Sequence, residues 1–138
     1  MNSYQKLSLM IKSENDLHYV SALIQDAIIH KSGINYDNGD LVIFMNRFAW
    51  DHFIEDKKLR IHAVMVIKNV ANVEYINFDK RDFLNILSII YDYQGTLCLV
   101  FSDNKKVKMN VDNIDIRLSD VDEHWDTDNV PNHGNLSA

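Results

Sequence analysis

The dipeptide Asn38-Gly39 is the feature of this sequence that most constrains its fold. It separates two runs in which apolar and polar residues alternate, residues 34–37 and 40–45. An Asn-Gly pair supplies the two positive φ angles that a two-residue hairpin turn requires, so it predicts an antiparallel hairpin. The turn fixes a register in which one face of both strands is apolar, with three cross-strand pairs: Asp37 with Asp40, Tyr36 with Leu41, and Ile34 with Ile43.

One segment has the periodicity of a helix. Apolar residues recur at helical spacing from Leu17 to Ile28, and Ser13 to Asp16 has the form of a capping box, in which the Ser13 hydroxyl accepts from the Asp16 amide. Gly33 lies where a left-handed C-cap belongs. The pattern predicts a helix over residues 14–31, which needs a sheet face to cover its apolar side.

The rest of the chain up to about residue 120 has the pattern of strands. The second hairpin strand continues to Trp50, and further strands are predicted at residues 6–12, 61–70, 73–78, 83–93, 96–101, 107–111 and 114–118. The alternation slips between Val111 and Ile114, which predicts a bulge near Asp112 and Asn113. No helix separates the later strands, so their pairing should be antiparallel. We predict an α+β fold in which one N-terminal helix packs on a mainly antiparallel sheet or roll of seven to nine strands.

Two hairpins share a pattern of a turn glycine followed by alternating apolar residues. One starts at Gly39 and the other at Gly95. Because any two antiparallel hairpins look alike at this level, an internal duplication stays open.

Length and composition are those of one globular domain: 138 residues, of which 46% are hydrophobic and 25% charged. The chain does not open on a basic start followed by an apolar run, and no stretch approaches the roughly 18 apolar residues that span a bilayer. We therefore expect a cytoplasmic protein without a membrane span. A single domain is predicted over residues 1–120, followed by an acidic and largely flexible tail over residues 121–138, in which Trp125 packs against the domain or a neighbouring subunit.

The distribution of charge argues against nucleic acid as a partner. The net charge is -6, and five acidic residues without any Lys or Arg follow Ser119, so the rest of the chain is nearly neutral. A neutral body without a basic stripe cannot neutralise many phosphates. The short basic cluster of Lys105, Lys106 and Lys108 flanks a turn and is predicted to be a solvated hairpin tip.

No motif for metal binding or nucleophilic catalysis is present. The six histidines lack the paired spacing of a zinc helix, and Asp120-x-Asp122 lacks the glycine of a calcium loop. Cys98, the single cysteine, lies between two leucines and is predicted to be an inert core residue. We therefore predict no metal and no cofactor, and no catalytic residue is assigned.

Five polar or aromatic residues are candidates for a binding site: Gln25, Asp26, Asn46, Arg47 and Trp50. Arg47 lies inside a strand that is otherwise apolar and amide, and such a cation usually pairs with a carboxylate, here Asp26 or Asp51. The pair would lock the helix to the sheet. In the alternative interpretation, Arg47 binds an anion or a partner with Trp50 as the apolar anchor, since Trp and Arg are enriched at binding hot spots.

The outer side of the predicted helix is a candidate interface. At 100° per residue it carries Tyr19, Ala22, Asp26 and Ile29, with Leu23 on one flank. This face is too apolar to be fully solvated, so we predict a protein partner or a second copy of the chain there. The alternative is that part of the sheet curls over the face within one chain.

Three groups of residues resemble the signatures of a known family. They are Ser21-Ala22-Leu23-Ile24-Gln25-Asp26-Ala27 on the helix, Asn46-Arg47-Phe48 followed by Trp50 on the strand, and Trp125 with Pro131 and His133 near the end. The chain resembles, over nearly its whole length, an alphaproteobacterial family known only as a domain of unknown function. The resemblance implies a bacterial origin and no activity.

Two classes of function remain open after the sequence analysis. The first is a non-catalytic binding or assembly module of the bacterial cytoplasm, and we favour it. The second is a small enzyme that acts on an anionic metabolite, with Arg47 holding the anion and Asp26 or a histidine as general acid or base. A deep pocket around Arg47 favours the enzyme, and a flat apolar patch favours the module.

Overall fold

The computed structural model describes residues 7–48, 60–79 and 83–121. These residues form one α-helix, a short 3₁₀ turn at Lys31–Gly33, and ten strands. Their bounds in chain order are β1 Ser8–Ile11, α1 Glu14–Ile24, β2 Ile28–His30, β3 Ile34–Asp37, β4 Asp40–Phe48, β5 Arg60–Ile67, β6 Val70–Ile76, β7 Phe83–Tyr91, β8 Thr96–Phe101, β9 Lys106–Val111 and β10 Ile116–Asp120.

The strands form one large sheet on which the helix packs, as the α+β prediction requires. The strand order is β1-β10-β5-β4-β2-β7-β8-β9-β6, and β3 pairs with β4 beside β2. Every pairing among the described residues is antiparallel, which confirms the predicted direction. The count is ten strands rather than seven to nine, because residues 28–30, which were predicted to be helical, form strand β2 between β4 and β7.

The Asn38-Gly39 hairpin is confirmed together with its register. Asn38 has a φ of 52° and Gly39 a φ of 85°, and the three predicted pairs between β3 and β4 are present. The Gly39 carbonyl accepts from the Val70 N–H at 2.7 Å, and the Tyr36 hydroxyl donates to the Val70 carbonyl at 2.6 Å. The start of β6 is therefore attached to the β3–β4 hairpin, and the sheet curls enough to bring its two halves together.

We call β1, β10, β5, β4 and β3 the first half, and β7, β8, β9 and β6 the second half. Strand β2 joins them, since it pairs with β4 on one side and with β7 on the other. In both halves inward side chains alternate with outward ones, as in β5 and β9. The inward side chains of both halves and of α1 belong to one apolar core.

The predicted helix is too long at its C-terminal end. It stops at Ile24, and the backbone turns through a positive φ of 65° at Asp26. The Asp26 N–H then donates to the Ile86 carbonyl at 2.8 Å, and the Ile86 N–H donates to the Ala27 carbonyl at 3.1 Å. Isoleucines that fitted the helical spacing are thus used by strand β2, because pairing with β4 and β7 buries the Ile29 side chain completely.

The helix begins at Glu14 with Ser13 as its N-cap residue, as predicted, but the predicted capping hydrogen bond and the C-cap at Gly33 are wrong. The Ser13 hydroxyl contacts the Asp16 carboxylate at 3.2 Å, and the Asp16 N–H donates to the Ser13 carbonyl instead of its side chain. Gly33 is part of the 3₁₀ turn and has no positive φ. A Cβ at this glycine would lie 3.3 Å from the Phe44 carbonyl oxygen, so its role is close approach to β4.

Three features of the later part of the chain differ from the prediction. The strand predicted at residues 61–70 breaks before Asn69, which has a φ of 58°. No bulge lies at Asp112 and Asn113, because the chain leaves β9 there and crosses to β10 in the first half. Lys105 is not solvated: its side chain is 5% exposed and pairs with Asp79 at 3.5 Å.

The described residues end at residue 121. The predicted tail over residues 121–138, including Trp125, therefore lies almost entirely outside them.

Candidate functional site

The Arg47 side chain makes a buried two-point ion pair with Asp120. Its Nε donates to Oδ1 and one terminal nitrogen donates to Oδ2, each at 3.1 Å, and both side chains are fully buried. The other terminal nitrogen donates to the Phe48 carbonyl at 3.1 Å. Two parallel charge-assisted bonds of this kind fix the relative position of the two side chains. The carboxylate is Asp120 and not the predicted Asp26, whereas Asp51 lies outside the described residues.

Asp120 also bonds Leu7, the residue that precedes β1, through both its carboxylate and its backbone N–H. Its Oδ2 accepts from the Leu7 N–H at 2.9 Å, and the Asp120 N–H donates to the Leu7 carbonyl at 2.9 Å. The next residue, Val121, donates its N–H to the His62 carbonyl at 3.0 Å. The ion pair therefore fixes the position at which the chain leaves β10.

Polar residues surround this position on the outward side of the sheet. Arg60 donates from one nitrogen to the Asn46 carbonyl at 3.1 Å and to its side-chain oxygen at 3.2 Å. The Arg60 guanidinium also lies over the Phe48 ring, 3.8 Å from its centroid. Burial lowers the pKa of Arg60, and the charge of Asp26 partly opposes that effect. Asn46 therefore contacts Arg60 on the outward side of the sheet, whereas the Arg47 side chain lies on the inward side.

The outward side of β4 and β5 carries apolar side chains, and we call this surface the Phe44 face. It comprises Val42, Phe44, Val64 and Val66. Met10 of β1 lies beyond its border, because Arg117 of β10 is the cross-strand neighbour of both Met10 and Val66. Phe44 lies directly opposite Val64, and Val42 lies opposite Val66. Phe44 is 53% exposed, while the three valines are half-buried. A contiguous apolar surface of this kind is typical of a place where another molecule binds.

Two other residues of the predicted binding site are less informative. Gln25 follows the last residue of α1 and is exposed. Trp50 lies outside the described residues.

The structure divides the predicted helix interface. Tyr19 is 54% exposed and Ala22 is exposed, as the prediction requires. Leu23 is 4% exposed and Ile29 is completely buried in β2, so these two residues are part of the core. Ser21 on the same helix accepts from the Ile89 N–H of β7 at 3.2 Å. The alternative, in which the sheet buries part of this face within one chain, is correct for Leu23 and Ile29.

Neither the role of Asp120 as the partner of Arg47 nor the Phe44 face was predicted from the sequence. Both could have been found from the alternation of the strands. Ile116 and Leu118 point inward in β10, so Asp120 has the same orientation. Likewise Ile43 and Met45 point inward in β4, which leaves Phe44 outward.

A groove of about 430 Å³ lies on the outward side of the second half. It is lined by polar and apolar side chains, among them Glu74, Ile90, Asp92 and Lys108. Cys98 also lines it, half-buried on the outward side of β8 and not in the core as predicted. Asp92 accepts from the backbone N–H groups of Gln94 and Thr96, which lower its pKa and use its carboxylate in the turn. The groove lies in the second half, whereas Arg47 lies in β4 of the first half. The Asp92 carboxylate has a structural role, because it binds the backbone of the turn.

Within residues 7–48, 60–79 and 83–121, no three His, Cys, Asp or Glu side chains are grouped closely enough to hold a metal ion. In the same ranges no helix has the length and apolar character needed to cross a membrane.

Comparison with known proteins gives one family. A family model described as "Protein of unknown function (DUF2948)" matches residues 7–133. No curated protein and no solved structure matches the chain. The predicted resemblance to an uncharacterised family is confirmed, and the alphaproteobacterial origin stays a prediction.

Proposed function

The chain belongs to the DUF2948 family of unknown function, and we propose that it is a non-catalytic binding module whose contact surface is the Phe44 face. Location in the cytoplasm of an alphaproteobacterium is part of this proposal, supported by the resemblance of its helix and strand motifs. A single domain through residue 120 is a further part of it.

The exposure of Phe44 is the observation that carries the proposal. An aromatic side chain in the middle of a sheet face, with valines beside and opposite it, offers an apolar area that no element within residues 7–48, 60–79 and 83–121 covers. Full burial of such a side chain stabilises a complex by about 1.5–3 kcal/mol. Arginine is enriched at binding hot spots, and Arg60 and Arg117 border the face.

The charges at the border indicate what the partner carries. Lys12 and Arg117 contact the same carboxylate, Asp115, at 3.3 and 3.7 Å. Their side chains are 55% and 47% exposed, whereas that of Asp115 is 10% exposed. Two exposed cations that share one buried carboxylate leave a net positive charge at this corner. We propose a protein partner with an apolar anchor flanked by acidic residues.

The alternative function, an enzyme that acts on an anionic metabolite through Arg47, has less support. Three nitrogens of the guanidinium donate to Asp120 and to the Phe48 carbonyl, and the side chain is completely buried. An anion would have to displace an internal carboxylate. The geometry favours a structural role for Arg47, with Asp120 as its counter-ion.

Capture with matched surface variants tests the proposal. Phe44→Asp places a charge on the Phe44 face, and Ile90→Asp places one on the second half at a side chain of similar exposure, 54%. We expect one or more proteins from a cell extract to bind the wild type and Ile90→Asp but not Phe44→Asp. The captured protein, once purified, should bind the wild type in calorimetry with the same dependence on Phe44.

Two results would overturn the proposal: no captured protein depends on Phe44, or the purified protein binds Phe44→Asp as tightly as the wild type. Light scattering on a sizing column separates a different partner from a second copy. A dimer that Phe44→Asp dissociates assigns the face to self-association. If only Ala22→Glu dissociates a dimer, the dimer interface is the exposed part of α1 and not the Phe44 face.

A further inference from the structure

We infer that the chain carries its own ligand for the Phe44 face, namely the segment 122–128 with Trp125 as its apolar anchor. This inference rests on the proposed function, because it assigns an occupant to the same surface. The segment lies outside the described residues, and three observations lead to it: where the chain leaves the sheet, how far the face is from that position, and which chemistry the face offers.

The position at which the chain leaves the sheet is fixed. The Asp120 carboxylate is held by Arg47, and the Val121 N–H is bonded to the His62 carbonyl. His62 is the cross-strand partner of Asn46, which follows Phe44 by two residues on the outward side of β4. The segment therefore begins at the border of the Phe44 face.

The distance to Phe44 suits Trp125. From Val121 the path crosses two strand spacings, about 10 Å in total, and runs two residues along β4, about 7 Å. The direct separation is then about 12 Å, and four residues of extended chain span about 13 Å. Trp125 is four residues after Val121. Strand β10 runs in the same direction as β4, and Val121 at its end is level with Asn46, so a segment that turns back after Val121 and then extends across β5 would bring Trp125 to Phe44.

The chemistry of the segment complements the face. Trp125 is surrounded by four acidic residues, Asp122, Glu123, Asp126 and Asp128, and neither Lys nor Arg occurs among residues 119–138. The face offers an exposed aromatic ring, half-buried valines, and the exposed cations Lys12 and Arg117. The segment has the anchor and the charge that we propose for the partner. The match to the family extends to residue 133 and so includes it.

Fluorescence of Trp125 in the full chain tests this inference. The chain has two tryptophans, so Trp50→Phe leaves Trp125 as the only indole. We expect a blue-shifted emission and weak quenching by acrylamide. Adding Phe44→Asp should shift the emission maximum to that of free N-acetyl-tryptophanamide and raise the acrylamide quenching constant to the value of that compound. Adding Ile90→Asp should change neither the emission maximum nor the quenching constant. Circular dichroism verifies that each variant is folded.

A second variant keeps the test independent of Phe44. Arg117→Glu should weaken docking and raise the quenching constant in part, and added salt should do the same in the parent. Emission of a free indole in the parent, or emission unchanged by both Phe44→Asp and Arg117→Glu, would overturn the inference. Protein capture that depends on Phe44 would then leave the proposed function standing. Burial of Trp125 that disappears on dilution would show docking on a second copy instead of the same chain.

Discussion

The two halves of the sheet have the same inner surface and different outer surfaces. In both halves, alternate side chains enter one common core. On the outside, the first half exposes Phe44 among valines. In the second half β9 exposes Lys106, Lys108 and Asn110, while β7 also exposes the apolar side chains Phe83, Leu87 and Ile90. A solvated outer surface normally resembles that of β9.

The difference shows that folding determines the inward side chains of the sheet but not the outward ones. The alternation toward the core is present in both halves, so stability of the sheet explains the inward residues. It does not explain why outward positions in β4 and β5 are apolar. The second half demonstrates that polar side chains are compatible with this fold at such positions. The Phe44 face is therefore better explained by binding than by folding.

The buried ion pair should give the largest difference between the halves. Asp120→Ala leaves Arg47 buried without its carboxylate, which costs about 3–5 kcal/mol of unfolding free energy. In the second half, Asp79→Ala removes the partner of Lys105, but the Asp79 side chain is 44% exposed. Lys105 itself is only 5% exposed, so the loss of this partner should still cost about 1–3 kcal/mol, which is less than at Asp120 because only one of the two side chains is buried. Urea denaturation measures both values.

A double variant separates the ion pair from the packing around it. Replacing Arg47 with Met and Asp120 with Leu removes both charges and should recover much of the stability lost in Asp120→Ala. Equal losses for Asp120→Ala and Asp79→Ala would contradict the distinction between the halves. Asp112→Ala, at an exposed position in the β9–β10 connection, provides the baseline.

The shared core should respond equally in the two halves. Met65 in β5 and Met109 in β9 are almost completely inaccessible, at 0% and 1% exposure. Each substitution to Ala removes the same atoms and should cost about 2–5 kcal/mol. Thermal and urea denaturation of the two variants should therefore show cooperative transitions that shift by similar amounts. Two separate transitions would indicate that the halves do not share one core.

Features that depend on residues close together in the chain were predicted correctly, whereas features that depend on residues far apart were not. The Asn38-Gly39 hairpin was predicted with its register because turn geometry and alternation within ten residues determine it. The helix was predicted beyond Ile24 because two adjacent isoleucines suit a helix and a buried strand equally. Only contacts with β4 and β7, distant in sequence, favour the strand.

The candidate site depended on long-range contacts as well. The sequence indicated that Arg47 needs a carboxylate, but Asp120 is 73 residues away and nearer acids were more obvious. Which strand lies beside which is set by the sheet order, where β10 enters between β1 and β5. The outward position of Phe44 was not predicted, although the local alternation of β4, with Ile43 and Met45 inward, would have been enough to infer it.

The turn glycines give a smaller effect that compares the two hairpins. Gly39 and Gly95 have φ values of 85° and 93°, and each carbonyl accepts an N–H, from Val70 and Val111 respectively. Alanine is strained in this conformation by about 1 kcal/mol. A Cβ at Gly39 meets open space, while one at Gly95 lies 3.4 Å from the Val111 carbonyl oxygen. We expect Gly95→Ala to destabilise slightly more than Gly39→Ala in urea denaturation. The reverse order would show that the hairpin attached to β6 is the more constrained of the two.

The thiol of Cys98 gives the smallest effect and reports on the outer surface of the second half. Burial raises the pKa of this half-buried thiol, and the charges of Lys106 and Lys108 partly oppose that effect. Since the thiolate is the reactive form, alkylation by iodoacetamide should reach its half-maximal rate at a higher pH than for a free cysteine derivative.

Lys108→Gln removes one of the two opposing charges, so the pKa should rise further and the alkylation rate at neutral pH should fall. Lys12→Gln makes the same change in the first half and should have no effect on Cys98. Because Lys108 is the cross-strand neighbour of Cys98, its charge acts locally on this surface. A fall in rate with both variants would mean that the net charge of the whole chain, and not the lysines of β9, controls the thiol.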